Sequence, residues 1–164
     1  MLKKPIQELS LEKFSKYGTF VNMLNPQTVK ISEPPIEFFR DMAQLQLGCQ
    51  AAPSFSICRV TKRPLIVDAS EYHNYCGEGI LPLDGDILMH VAPANGGTLN
   101  TEDIEIFHVP QGTFVTLRPG VWHHAVFAYN TEVVNTLIVL PERTYATDCH
   151  VYEIPEAQQV AIGS

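Results

Sequence analysis

Residues 71–85 of this chain are EYHNYCGEGILPLDG, with the spacing Glu71-x-His73-x4-Glu78-x6-Gly85. Side chains alternate between the two faces of a β-strand, so Glu71 and His73 share a face if the segment is extended. A carboxylate and an imidazole then point the same way, and a second carboxylate follows after a short turn. This arrangement predicts a polar site carried by a sheet.

Short β-prone runs extend outward from this segment across most of the chain after residue 53. Turn-forming residues separate the runs, and none alternates with a long helical pattern, which argues against a parallel α/β sheet. The spacing predicts an all-β sandwich or closed barrel, in one domain over residues 1–164. The runs are Phe55 to Val60, Pro64 to Asp68, Gly79 to Leu83, Ile87 to Val91, Ile104 to Val109, Thr113 to Leu117, Val121 to Ala128, Val133 to Leu140 and His150 to Ile154.

One short helix is predicted near the start, over Leu11 to Tyr17. Ser10 is a typical N-cap residue, and Gly18 is a typical helix stop. Prolines interrupt residues 25–50, for which the sequence predicts no definite structure.

Composition excludes several classes of protein. The net charge is −7, and the 11 Lys and Arg residues form no cluster, so no nucleic-acid partner is expected. No run approaches about 18 apolar residues and no signal-peptide pattern is present, so we expect a cytoplasmic protein without membrane contact. The cysteines form no C-x-x-C pair and are expected to be reduced and structural; they are Cys49, Cys58, Cys76 and Cys149.

A second motif, Gly120-x-x-His123, lies on a later β-prone run. The two motifs together resemble those of the cupin superfamily, whose histidines and glutamate converge inside a jelly-roll barrel. The resemblance implies a cupin-type double-stranded β-helix and a divalent-metal site at Glu71, His73, Glu78 and His123. Glu71 stands where the first histidine of the pattern would be, and such a donor set still suits Ni, Zn, Mn or Fe. In the alternative interpretation, Glu71 and Glu78 are loop carboxylates facing solvent.

Adjacent histidines lie within the apolar run VWHHAVF, residues 121–127. In a regular strand His123 and His124 point to opposite faces, so only one of them enters the barrel. Both faces are apolar, so each imidazole is expected to be hydrogen-bonded or ligating. For His124 a catalytic and a core role stay equally open, whereas His90 and His108 are expected to be structural.

Several blocks together resemble the ureidoglycolate lyase family across about 150 residues. Of these, GVWHH at residues 120–124 is the most specific, and the others are LSLEKFSKYG at 9–18, SICR at 56–59, EYH at 71–73, LPLDG at 81–85 and CHVYEIPE at 149–156. The resemblance implies a homodimeric β-barrel enzyme that cleaves ureidoglycolate to glyoxylate and urea in allantoin and purine degradation. Three departures from the family pattern stand out: Glu78 replaces Gln, Phe114 replaces Gly and Leu117 replaces Tyr. The last two are expected to reshape the pocket.

The implied reaction assigns roles to the histidines. Ureidoglycolate carries a carboxylate, a hydroxyl and a ureido nitrogen on one carbon, so elimination needs a base at the hydroxyl and an acid at the nitrogen. His123 or His73 is expected to take the hydroxyl proton or to ligate a metal that acidifies the hydroxyl. His124 is the third catalytic candidate.

Arg59 and Arg118 are the candidates for binding the substrate carboxylate, because a guanidinium pairs with a carboxylate in bidentate fashion. Trp122 is a further candidate for substrate binding, and either arginine has the alternative of being a surface residue. Two other functions stay open. One is a different metal-dependent cupin enzyme, an isomerase or dioxygenase acting on a small hydroxy or keto acid. The other is a non-catalytic cupin that binds a small anion.

Overall fold

The structure, a computed structural model, describes residues 1–48 and 52–163. Its strands are β1 (Leu2–Lys4), β2 (Ile6–Glu8), β3 (Gly18–Asn22), β4 (Pro53–Thr61), β5 (Ile66–Val67), β6 (Ala69–Tyr72), β7 (Glu78–Pro82), β8 (Ile87–Val91), β9 (Glu105–Val109), β10 (Thr113–Leu117), β11 (Phe127–Ala128), β12 (Val133–Pro141), β13 (His150–Glu153) and β14 (Val160–Ile162). The helices are α1 (Leu11–Phe14) and α2 (Thr144–Thr147), with 3-10 turns at Thr101–Asp103 and Glu156–Gln158. No helix within these ranges has the length and apolar character needed to cross a membrane.

Two sheets face each other and enclose the main core. One has the strand order β3-β10-β7-β12-β4 and the other β11-β8-β9-β2. From β7 to β12 the chain passes back and forth between the two sheets, as in a jelly roll. The predicted all-β, cupin-type barrel with a short N-terminal helix is therefore confirmed.

Strand alternation divides the apolar residues between two cores. Met89 and Phe107 face inward and pack with Ile80 and Ile138 of the opposite sheet. Leu88 and the other outward residues of the four-stranded sheet join a second core, which the small sheet β1-β14-β5 covers. Because the two facing sheets enclose the main core, a polar side chain on the inner face of β7 is surrounded by protein.

The predicted helix begins as expected but ends early. The Ser10 side chain accepts a hydrogen bond from the Lys13 backbone N–H at 3.3 Å, which confirms the N-cap. The helix ends at Phe14, and Tyr17 is already a buried core residue. Gly18 then starts β3 where a Cβ would collide with the Thr116 carbonyl oxygen, so close strand pairing, rather than a helix stop, requires glycine there.

The run from Val121 to Ala128 is not one strand, contrary to the prediction. Only Phe127–Ala128 is regular, while Trp122 and His123 form isolated bridges with Ala92 and Glu71. Pairing with two different partners bends the chain, which the apolar pattern alone does not reveal. Residues 25–48 are mostly irregular with one bridge, Lys30 to Phe39, and Cys49 lies outside the described residues.

Candidate functional site

Glu78 is the centre of a buried cluster inside the barrel. It begins β7 and points inward with Ile80, and only 7% of the residue is exposed. Its Oε2 atom lies 3.1 Å from Nε2 of His73 and 2.9 Å from Nε2 of His123. The alternative in which Glu78 is a solvent-facing loop carboxylate is therefore wrong.

Backbone carbonyls orient both imidazoles. Nδ1 of His73 lies 2.7 Å from the Asp148 carbonyl oxygen, and Nδ1 of His123 lies 2.9 Å from that of Val121. A carbonyl oxygen only accepts hydrogen bonds, so each Nδ1 carries a proton and donates it. Each Nε2 is thereby directed at the Glu78 carboxylate, which is the usual orientation of histidines that ligate a metal.

Glu71 joins the cluster from β6. Its backbone pairs with that of His123 through two hydrogen bonds, of 2.6 and 2.9 Å, which hold the two residues side by side. Its Oε2 accepts a hydrogen bond from the Cys149 thiol at 2.9 Å, and its Oε1 lies 3.3 Å from Nδ1 of His124. The His124 contact is an ion-pair distance without hydrogen-bond geometry.

Both carboxylates are ionised at neutral pH. Burial alone would raise the pKa of Glu78, but the charge of His123 and hydrogen bonds from both histidines lower it well below its usual range. Burial also tends to raise the pKa of Glu71. The contacts with His124 and Cys149 and the charge of His123 outweigh this effect and lower the pKa to about 2. Conversely, although burial opposes it, Glu78 raises the pKa of His123.

A small cavity of about 100 Å³ opens beside the cluster. Its polar lining combines the two carboxylates with an imidazole, a thiol and a phenol, and the rest is apolar. The described residues that line it include no Lys or Arg, so the cavity favours a cation over an anion. They are Cys58, Glu71, Glu78, Ile80, His124, Ala125, Val126, Ile138 and Tyr145.

The donor set fits a divalent metal ion. Glu71, His73 and His123 each present one ligand atom, and these atoms lie within 4.8 Å of one another. Imidazole nitrogens with carboxylate oxygens suit Zn, Ni, Mn and Fe, and two ionised carboxylates supply the charge that such an ion needs. These residues can therefore hold a metal ion.

The sequence as a whole now identifies the family. A family model described as ureidoglycolate lyase matches residues 2–161. The chain belongs to the ureidoglycolate lyase family. Ureidoglycolate lyases of Escherichia coli and Shigella boydii are each 24% identical to it over 159 residues, or 96% of this chain and 98% of theirs.

Solved structures show more distant likeness. A dTDP sugar isomerase from Desulfovibrio desulfuricans aligns with 79% of this chain and 82% of its own, at 12% identity and a TM-score of 0.49. A mutant oxalate decarboxylase from Bacillus subtilis aligns with 65% of this chain, at 16% identity and a TM-score of 0.45. This chain covers only 27% of that decarboxylase.

Within this member of the ureidoglycolate lyase family, the predicted metal ligands come together. His124 joins them, although a regular strand would have turned it away from His123. The chain bends here, and the guanidinium of Arg63 donates to the Ala125 and Val126 carbonyls, at 3.0 and 3.4 Å. His90 and His108 lie outside the cluster and bond to other partners, Ser70 for His90 and Glu8 and Asp86 for His108.

The three predicted substrate-binding residues lie elsewhere. Arg59 is on the outer face of β4 and donates to the Asn135 side chain at 2.8 Å. Arg118 donates to the Ser15 carbonyl, and Trp122 is buried in the second core against Tyr72. None of them is among the described residues that line the cavity. Their role in substrate binding stays a prediction.

The two departures that were expected to reshape the pocket lie on opposite faces of their sheet. Phe114 is on the outer face of its sheet, where its ring covers Gly79, and a Cβ on Gly79 would lie 2.7 Å from Phe114 Cζ. Leu117 is on the inner face, opposite Glu78 in the pairing of β10 with β7, and it is buried in the main core. Of the three departures, only Glu78 is among the described residues that line the cavity.

Sequence analysis missed four residues of the site. Tyr145 and Cys58 line the cavity, Cys149 binds Glu71, and Asp148 holds His73. Cys58 and Cys149 belong to the blocks that resemble the family, which is the signal that could have indicated them. Tyr145 and Asp148 carry no such signal; Tyr145 is in α2 and Asp148 directly follows it, and both reach the site from far along the chain.

Proposed function

We propose that this chain cleaves ureidoglycolate to glyoxylate and urea at a divalent metal ion held by Glu71, His73, Glu78 and His123. Family membership supports the substrate. One observation carries the metal site: two imidazoles have their Nδ1 protons fixed on backbone carbonyls and direct Nε2 at an ionised, buried carboxylate. Homodimer formation and a cytoplasmic location stay predictions.

The charge of the cavity supports a need for the metal. Ureidoglycolate is an anion, and the cavity already contains the ionised carboxylates of Glu71 and Glu78. Like charges repel strongly in a partly buried site, so an anionic substrate needs a cation between it and these carboxylates. A bound divalent ion would supply that charge and would acidify a coordinated hydroxyl.

His124 and Tyr145 are the proposed proton carriers, because both face the cavity. Partial burial and the charge of Glu78 raise the pKa of Tyr145, so its hydroxyl stays protonated and can act as an acid. His124 accepts the substrate hydroxyl proton, and the O–H electron pair forms the glyoxylate C=O bond. The C–N bond breaks, its electron pair stays on nitrogen, and Tyr145 protonates that nitrogen to complete urea.

Purified protein is expected to release glyoxylate from ureidoglycolate faster than the spontaneous reaction does. Chelation should abolish the excess rate, and adding back Mn²⁺, Ni²⁺, Zn²⁺ or Fe²⁺ in turn should restore it and identify the ion. A colorimetric glyoxylate assay measures both results. Enzyme-dependent release that survives complete metal removal would contradict the metal, whereas no release with any metal would contradict the substrate. The absence of release with any metal would favour an enzyme that acts on another small hydroxy or keto acid, or a non-catalytic protein that binds a small anion.

Tyr145→Phe is expected to lower kcat about 10-fold with KM little changed, which is less than the usual effect of a general acid. The smaller effect follows from position: Tyr145 is 62% exposed, so water at the mouth can partly replace its hydroxyl. Tyr129→Phe is the matched control, because Tyr129 packs on His108 away from the cavity. An unchanged kcat in Tyr145→Phe would remove this hydroxyl from the reaction.

A further inference from the structure

Asp148 is a buried acidic residue that contacts the site without lining the substrate cavity. It follows α2, and only 7% of it is exposed. Its Oδ1 accepts a hydrogen bond from the Asn74 backbone N–H at 2.9 Å, and its Oδ2 accepts one from the Tyr75 N–H at 2.8 Å. Its own carbonyl oxygen accepts the Nδ1 proton of His73 at 2.7 Å. Asp148 therefore accepts hydrogen bonds from three consecutive residues, His73, Asn74 and Tyr75.

The turn that Asp148 holds connects two parts of the cluster. Residues 73–77 join the end of β6, which carries Glu71, to Glu78 at the start of β7. His73 lies within this irregular turn, and its ring contacts the Asp148 carbonyl and the Glu78 carboxylate. The carboxylate of Asp148 satisfies backbone donors of the turn, which otherwise lack partners from regular structure.

Asp148 is itself fixed in place. Its backbone N–H donates to the Thr144 carbonyl at 2.9 Å and thereby closes α2. The side chain, the turn and the imidazole therefore form one unit, in which a shift of the turn also displaces His73 from the Asp148 carbonyl. Ring orientation and tautomer of a ligating histidine depend on such outer contacts.

We propose that Asp148 is a positioning residue of the cluster, which fixes the Nδ1–H form of His73 and so directs Nε2 at Glu78 and the metal. The inference rests on the proposed function, because it concerns the same site. In this role Asp148 does not contact the substrate. Asp148 affects the reaction only through the orientation of His73.

Two variants separate positioning from general stability. Asp148→Ala removes both acceptors of the turn, and Asp148→Asn keeps one and the approximate shape. Asp86→Asn is the matched control, because Asp86 also accepts a backbone hydrogen bond in a turn, from Gln111 at 2.8 Å, and bonds to a different histidine, His108. Asn in either place should cost similar stability, but only the change at 148 should alter His73.

The first measurement is the imidazole proton and nitrogen NMR signals of protein labelled with ¹⁵N-histidine, without metal or substrate. In the wild-type protein the Nδ1 proton of His73 should be observed and protected from exchange. The signal should be lost in Asp148→Ala, weakened in Asp148→Asn and unchanged in Asp86→Asn. A folded Asp148→Ala or Asp148→Asn that keeps the wild-type signal would overturn the inference.

The second measurement is Co²⁺ affinity by competition with a chelator. We expect a fall of about 10- to 100-fold in Asp148→Ala, the usual effect of losing an outer partner of a ligand, and none in Asp86→Asn. Equal losses at both positions would mean that Asp148 acts only through stability. Absence of glyoxylate release by the wild-type protein would contradict the proposed function but leave the NMR result decisive for Asp148.

Discussion

His123→Ala is expected to lower the rate of glyoxylate release at least about 100-fold. The imidazole of His123 is buried, lies 2.9 Å from Glu78 and is one of the three residues that together can hold a metal ion. Its removal takes away a ligand and leaves the Glu78 carboxylate with one fewer partner in a buried site. The measurement is the glyoxylate assay with metal at saturation.

Controls for this prediction must separate lost chemistry from lost folding. His108→Ala removes a histidine that bonds Glu8 and Asp86 away from the cluster, and its rate should equal that of the wild-type protein. His123→Gln keeps a polar side chain of similar reach but not the imidazole, and it should stay as slow as His123→Ala. A folded His123→Ala with a nearly wild-type rate would exclude His123 from the mechanism.

The site could be predicted where its residues lie close in sequence or follow a spaced motif. Glu71, His73 and Glu78 fall within eight residues, so their closeness follows from the sequence alone. Strand alternation did not orient His73, because β6 ends at Tyr72 and His73 lies in the turn that follows. His123 followed from the second motif. The same local rule failed for His124, because the chain bends where Trp122 and His123 pair with two different partners. Arg63, which is about 60 residues away in sequence, donates to carbonyls of the bent segment.

Contacts over long sequence separations account for what could not be predicted. Asp148 meets His73 across 75 residues, and Cys149 meets Glu71 across 78. The parallel pairing of β1 with β14 joins the two ends of the chain. In each case the residue type is ordinary for its local segment, and only the closed barrel brings the partners together. Phe114 was expected to reshape the pocket, but its neighbour Val115 pairs with Ile80 on the inner face, so Phe114 points outward.

Glu78→Gln is expected to weaken metal binding by at least about 100-fold, beyond the usual effect of losing an outer contact. The substitution keeps the size of the side chain but removes one of the two negative charges in the site. Its amide group also presents a donor toward the imidazoles, where the carboxylate only accepts. Competition with a chelator measures the affinity, and Glu105→Gln is the control, because Glu105 pairs with Lys16 away from the cluster.

Stability of the metal-free protein gives an independent measurement on Glu78→Gln. Burial tends to lower the pKa of His123, but the charge of Glu78 outweighs this effect and raises the pKa to about 8 from 6.5. A raised pKa stabilises the fold fully below the unfolded value, about 6.5, and this stabilisation is lost as the pH rises through about 8. The wild-type protein should therefore lose more thermal stability between pH 6 and pH 8.5 than Glu78→Gln does.

The two measurements together decide what Glu78 contributes. Weaker metal binding with a flattened pH profile means that the carboxylate both holds the ion and balances the charge of His123. An unchanged affinity with a flattened profile would mean that Glu71, His73 and His123 hold the ion without Glu78, which then acts only as a counter-charge. The family pattern has Gln at this position. That outcome would therefore mean that the carboxylate of Glu78 affects the stability and pH response of this chain, and that Glu71, His73 and His123 alone are the metal ligands.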